Sequence, residues 1–153
     1  MRIHTYSAGM QGALTHPDVP PETCLRELVT VEVDEVVFRV GDEAELDVEL
    51  SVVELFGAEP GHVIIHHCHE IAVEVSYAGN EKRLTVHPAA HVNKVRTKAI
   101  ASFGLDAGSS ADLILRLPGS TEELPATNPI GVYVPKGSCA LALDLVHLVR
   151  PQG

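Results

Sequence analysis

The sequence predicts an α+β protein built from two units of similar size. Three observations carry this expectation. The chain has 153 residues, 45% of them hydrophobic, which is enough for a packed core and the length of one ordinary domain or two very small ones. Its charge changes abruptly at the midpoint. Residues 1–70 carry three Arg, no Lys and 14 acidic residues, whereas residues 71–153 carry eight basic and seven acidic residues. The second half reads as strand, strand, helix, strand, irregular crossover, strand, an order in which one helix packs across a mixed sheet.

The first half is the harder one to read. Arg2–Ser7 is expected as a strand, with Gly9 and Gly12 bracketing a turn. Pro20-Pro21-Glu22 opens a brief helix with Cys24, Leu25 and Leu28 on its apolar side. Thr30–Asp34 alternates like a strand, and Val36–Val40 is a strand closed by Gly41-Asp42. Leu50–Phe56 reads as a helical turn that Glu59-Pro60-Gly61 breaks. His62–Cys68 is a strand, and only a residue or two separates it from the next one. No flexible linker lies there, so the units are expected to be closely apposed, divided as 1–69 and 70–153.

In the second half, Ile71–Tyr77 and Arg83–Val86 alternate and flank the turn Ala78-Gly79-Asn80-Glu81, which makes a hairpin. His87-Pro88 ends it, since Pro cannot continue a ladder. Val92, Val95, Ala99, Ile100 and Phe103 form one apolar helical stripe, with Lys94, Arg96 and Lys98 on the other side and Gly104 as the C-terminal stop. Ala111–Leu117 is a third strand, residues 123–131 are irregular, and Cys139–Leu148 is the last strand.

Composition removes several functional classes. The net charge is −10, aromatics are 4% and Trp is absent, so neither nucleic acid nor an anionic membrane is an expected partner. No apolar run reaches the length of a membrane span. The N-terminus lacks the apolar core of a signal peptide, so the protein is expected to be cytoplasmic. Cys24, Cys68 and Cys139 are odd in number and have no framework spacing, so they read as reduced thiols.

Specific residues then carry a resemblance. They are Arg83-Leu84-Thr85-Val86-His87-Pro88, the helix Val92–Ala99, Leu113-Ile114-Leu115, Tyr133 in the crossover, and Lys136-Gly137-Ser138 leading into the Leu-rich last strand, with the chain ending at Gly153. This half resembles ubiquitin-like β-grasp proteins. Val36–His67 looks like a diverged copy, with Val37-Phe38-Arg39-Val40-Gly41, then Leu46, Val52, Val53, Leu55, Phe56 and Val63-Ile64-Ile65. Together they resemble a tandem ubiquitin-like modifier. Similar two-domain modifiers are the interferon-stimulated one of vertebrates and the BilA-type proteins of bacterial antiphage operons.

The resemblance implies a fold of two tandem ubiquitin-like β-grasp domains and a role as cargo, with no catalytic residues and no cofactor. An activating enzyme would adenylate the Gly153 carboxylate with ATP and pass it to a cysteine. A conjugating enzyme would join it to a target amine, and a deconjugating protease would release it. Bacterial antiviral defence is the implied setting. A carboxylate that threads a narrow adenylation channel favours a last residue without Cβ and an extended approach. Gly153 meets the first need, and Arg150-Pro151-Gln152 forms the approach, with Pro151 holding φ near the extended region. The tail has one glycine where a glycine pair is usual, and His66-His67-Cys68-His69 has none, so the first unit cannot be released and conjugated alone.

Other readings compete. A non-conjugated β-grasp adaptor or assembly subunit would be indifferent to Gly153. A sulfur carrier is also β-grasp, but is normally single-domain and ends in two glycines. The cluster His62, His66, His67, Cys68, His69, Glu70 could suggest a small metal enzyme, yet no second cluster completes a zinc set of four, so it reads as a strand end and a tight junction with no metal. Cys139 has no His-Asp pair at a recognisable spacing and reads as a packed core cysteine. Ile114 alternates with Leu113 and Leu115, which points it away from the helix and makes it a candidate partner-binding patch. The strand Arg2–Ser7 can pair within its own unit or across to a neighbour, which leaves a homo-oligomer open.

Overall fold

The computed structural model describes residues 1–10, 12–106 and 108–148. Its strands form two four-stranded sheets. The first contains β1 (Ile3–Ser7), β2 (Leu14–His16), β3 (Val36–Arg39) and β4 (Gly61–His66), in the order β2-β1-β4-β3. The second contains β5 (Ile71–Tyr77), β6 (Asn80–Val86), β7 (Leu113–Arg116) and β8 (Ala140–His147), in the order β6-β5-β8-β7. In each, the central pair is parallel, β1 with β4 and β5 with β8, and both outer pairs are antiparallel. A hairpin, a helical segment, a strand, a helical segment and a returning central strand occur in the same order in both halves. This is the β-grasp arrangement, twice. Parallel partners need a crossover, and the helical segments supply it.

The helical segments differ between the halves. In the second, α2 (Val92–Ser102) buries Val92, Val95 and Ala99 against the sheet, and Gly104 ends it at φ +67°. Arg96, expected on the polar side, instead turns inward. Its Nε donates to the Leu113 carbonyl at 2.6 Å and its Nη2 to the Ser110 carbonyl at 2.8 Å, which ties the helix to the start of β7. In the first half the corresponding place holds only a single 3-10 turn, Leu25–Glu27. The second helical segment there is α1 (Val52–Phe56), opened by a capping box. The Ser51 hydroxyl accepts from the Glu54 amide, and the Glu54 carboxylate accepts from the Ser51 amide at 2.8 Å.

With so little helix to cover it, the first sheet packs on both faces. Val37, Val63 and Ile65 point to Leu25 on one side. The alternating residues Tyr6, Phe38 and Ile64 point the other way and join the large core of the second half. β4 is therefore buried on both faces, which is why Val63-Ile64-Ile65 is a continuous apolar run where most strands alternate. The Gly41 amide donates to the Ala89 carbonyl at 2.7 Å and the Gly9 amide to the Val132 carbonyl at 3.0 Å. Phe38 meets His87 edge-on at 4.4 Å. The close apposition expected from the missing linker is thus a shared core.

Three expectations are corrected. Thr30–Asp34 is not a strand, because Val33 is fully exposed and has nothing to pack against. Leu14–His16, for which no strand is expected from the sequence, is an exposed edge strand paired to β1, too short at three residues to show a pattern. The cysteines are not all reduced: Cys68 and Cys139 are joined by a disulfide, and Cys24 is free. Cys139 is exposed, so it is not a packed core residue either. Among the described residues no helix is long and apolar enough to cross a membrane.

Candidate functional site

The candidate tail grows out of β8. That strand runs parallel to β5 from Ala140 to Asp144 and antiparallel to β7 from Asp144 to His147. Leu141, Leu143 and Leu145 are buried, which fixes its register, since a one-residue slip would turn all three to solvent. Its end is also fixed. The Leu148 amide donates to the Asp112 carbonyl at 2.8 Å, and His147 Nδ1 lies 3.0 Å from the Asp112 carboxylate. The chain is held to Leu148. Arg150, Pro151, Gln152 and Gly153 lie outside the described residues.

Ile114 sits on β7 opposite Val146 of β8. Leu113 and Leu115, its neighbours, belong to the core beneath α2, and Ile114 does not. It is 7% exposed, so its side chain alone offers a partner little surface.

The histidine cluster separates into distinct environments. His66 is fully buried. Its Nδ1 accepts from the Cys68 amide at 3.0 Å, and its Nε2 lies 3.1 Å from the Gly131 carbonyl. That network assigns the Nε2–H tautomer and satisfies both nitrogens of a neutral ring. Burial pushes the His66 pKa down, and the bond to Gly131 opposes this only in part. His87, partly buried beside Phe38, is likewise pushed down, mainly by burial. His62 stacks on His4 at 4.5 Å. His67 stacks on His66 at 5.1 Å and turns its Nε2 to the disulfide, 3.3 Å from the Cys68 sulfur and 3.8 Å from that of Cys139.

The Cys68–Cys139 pair was invisible as a spacing, because 71 residues separate the two. The signal that reveals it is topological. Once β5 and β8 are recognised as the parallel central pair, the residues that precede them must lie at the same end of the sheet, as Ala72 opposite Ala140 shows.

The family comparison addresses this second half. Residues 72–148 match the family model of BilA ubiquitin-like domain 2. Among solved structures, the chain is similar to the ubiquitin of Caldiarchaeum subterraneum, at 23% identity and a TM-score of 0.39, over 55% of this chain and 98% of that one. No curated protein matches it.

Proposed function

The chain belongs to the BilA ubiquitin-like family, and from that premise we propose that it is a two-domain protein modifier conjugated through Gly153. The observation that carries this reading is the match to the second ubiquitin-like domain over 72–148, which ends where β8 is pinned, five residues before Gly153. The chain is held as far as Leu148, and in this reading an extended Arg150-Pro151-Gln152 would carry the carboxylate into an activating enzyme. We place the division between the two units at 1–69 and 70–153.

The chemistry falls to the partners. The Gly153 carboxylate attacks the α-phosphate of ATP and pyrophosphate leaves. A cysteine thiolate of the activating enzyme then takes the acyl group and AMP leaves. After transfer to a conjugating enzyme, a target amine attacks the thioester and the thiol departs. This chain supplies the acyl group and the recognition surface and performs none of the steps itself. Gly153 contributes an unhindered carbonyl. The β7–β8 face around Ile114 is the surface assigned to partners, a deconjugating protease among them. Antiviral defence in a bacterial cytoplasm is the proposed setting.

The test is a thioester assay with ATP and the cognate activating enzyme, run on a non-reducing gel beside a chain lacking Gly153. A reductant-sensitive adduct that disappears with the deletion is expected. An enzyme active on another substrate that forms no adduct with this chain would instead make it a non-conjugated adaptor.

A further inference from the structure

We propose that, once the disulfide is reduced, Cys68, Cys139 and His67 form a zinc site, and that the metal-bound and disulfide forms exclude one another. The proposal goes beyond conjugation and stands on geometry at the junction of the two sheets. Three donor atoms converge there from two distant parts of the chain. The cysteine Cα atoms are 5.8 Å apart, and His67 Nε2 lies 3.3 Å and 3.8 Å from the two sulfurs. A tetrahedral zinc ion with bonds of about 2.3 Å to sulfur and about 2.0 Å to nitrogen sets sulfur–nitrogen edges of roughly 3.5 Å. The two observed edges straddle that value. Cleaving the sulfur–sulfur bond frees the sulfurs to part and admit an ion between them and the imidazole.

His66 looks like a competing ligand, since one of its nitrogens, one of those of His67 and the Cys68 sulfur lie within 4.8 Å of one another. It is already occupied. Both of its nitrogens are committed to the Cys68 amide and the Gly131 carbonyl, and it is fully buried. It serves as a fixed wall against which the His67 ring stacks, holding Nε2 on the sulfurs. Cys68 is buried and Cys139 is exposed, so an ion enters from the Cys139 side. Three protein ligands leave one coordination position for water. A cavity of about 450 Å³, lined by His67 with Glu32, Glu35 and Lys136, opens beside the ring. In the disulfide form the Cys68 sulfur already lies 3.2 Å from the Ser138 carbonyl, an acceptor for the thiol proton once the bond is cut, so a metal-free dithiol is also satisfied.

The exchange balances. Two equivalents of a low-molecular-weight thiol reduce the disulfide, giving two cysteine thiols and the oxidised thiol as its own disulfide. Zinc then displaces two protons to form two zinc–sulfur bonds and takes the His67 lone pair. Oxidation of the two sulfurs by a disulfide oxidant reverses the sequence and expels the ion. A reducing cytosol favours the thiol side.

Cobalt(II) serves as the spectroscopic probe on the full chain. The reduced protein is expected to bind about one equivalent and to develop the intense near-ultraviolet sulfur-to-cobalt band and the visible bands of a tetrahedral site. Zinc should bleach them. Protein reoxidised with glutathione disulfide should take up no cobalt. Cys139→Ser, at an exposed position, should keep the native circular dichroism and lose most of the band. His67→Ala should keep the sulfur band but weaken binding by about tenfold or more. A folded, reduced protein that shows no sulfur-to-cobalt band overturns the proposal and leaves a metal-free dithiol. A band of undiminished intensity in Cys139→Ser overturns it equally, because the second sulfur would then come from elsewhere.

Discussion

Gly131→Ala probes the contact between the two sheets with the smallest perturbation available. A Cβ built at Gly131 would lie 2.8 Å from Ile64 Cδ1, 2.8 Å from the Pro88 carbonyl oxygen and 2.9 Å from His66 Cδ2. Only the first can move aside by rotating a side chain. The Pro88 oxygen is backbone and already accepts from the Gly131 amide at 2.9 Å. The His66 ring is held at both nitrogens, one of them by the Gly131 carbonyl itself. Relief must therefore come from a shift of the 3-10 turn Ile130–Tyr133 against β4. Overpacking of this kind costs about 1–3 kcal/mol. Straining the buried His66–Gly131 bond adds to that, up to the roughly 1–3 kcal/mol of an unsatisfied buried group. For a chain of this length each kcal/mol lowers Tm by about 2–4 °C, so a drop of at least about 2 °C is expected. Thermal unfolding followed by circular dichroism reads it directly. Gly12→Ala is the control, since a Cβ added there meets nothing within 4 Å and its φ is outside the left-handed region. If Gly131→Ala melts within about 1 °C of wild type, the sheets are not packed as described.

Two further predictions bear on the same junction. Phe38→Ala removes a ring that is 1% exposed and wedged against His87 and His69. It should cost about 3–5 kcal/mol and still unfold in a single transition, because the ring belongs to a core that both sheets share. Two resolved transitions in urea would separate the sheets into independent units. Acidification should also destabilise. His66 and His87 have pKa values lowered by burial, whereas in the unfolded chain both titrate near 6.5. Below that pH the unfolded state binds more protons than the native one, so stability falls as pH drops from about 6.5 toward the lowered native values, and is flat above it. Melting curves at pH 7.5 and 5.5 test the sign, and an equal or higher Tm at the lower pH contradicts it.

The legible and illegible parts of the fold divide along packing. The second half could be read because each element follows its own period. Ile71–Tyr77 alternates, Val92–Ser102 carries a stripe, and the last strand alternates Leu with smaller residues. The first half resisted because its sheet has no long helix to imprint such a pattern. Val31 and Val33 mimic a strand while lying exposed, and Leu14–His16 is a strand whose edge position leaves it no apolar signature. Arg96 shows the limit of helical-wheel reasoning. Its spacing puts it with the lysines, but the long side chain folds back to carbonyls that only the tertiary structure brings near. At the candidate sites, the histidines stood out as a cluster. Which nitrogen is committed, and which faces the sulfurs, depends on Gly131 and Cys139, dozens of residues away.

The doubly buried strand β4 has a bearing on recognition. Because Tyr6, Phe38 and Ile64 are sealed into the neighbouring core, the two sheets cannot swing on a hinge without exposing them to water. A partner that touches both sheets meets a template of fixed spacing. Its second contact then forms without the chain entropy that a flexible tether would add, and avidity depends on matching one distance and one angle. A partner shaped for separately tethered ubiquitin-like units would engage one sheet and miss the other. Selectivity can thus reside in the relative placement of two surfaces, even where each alone resembles many others.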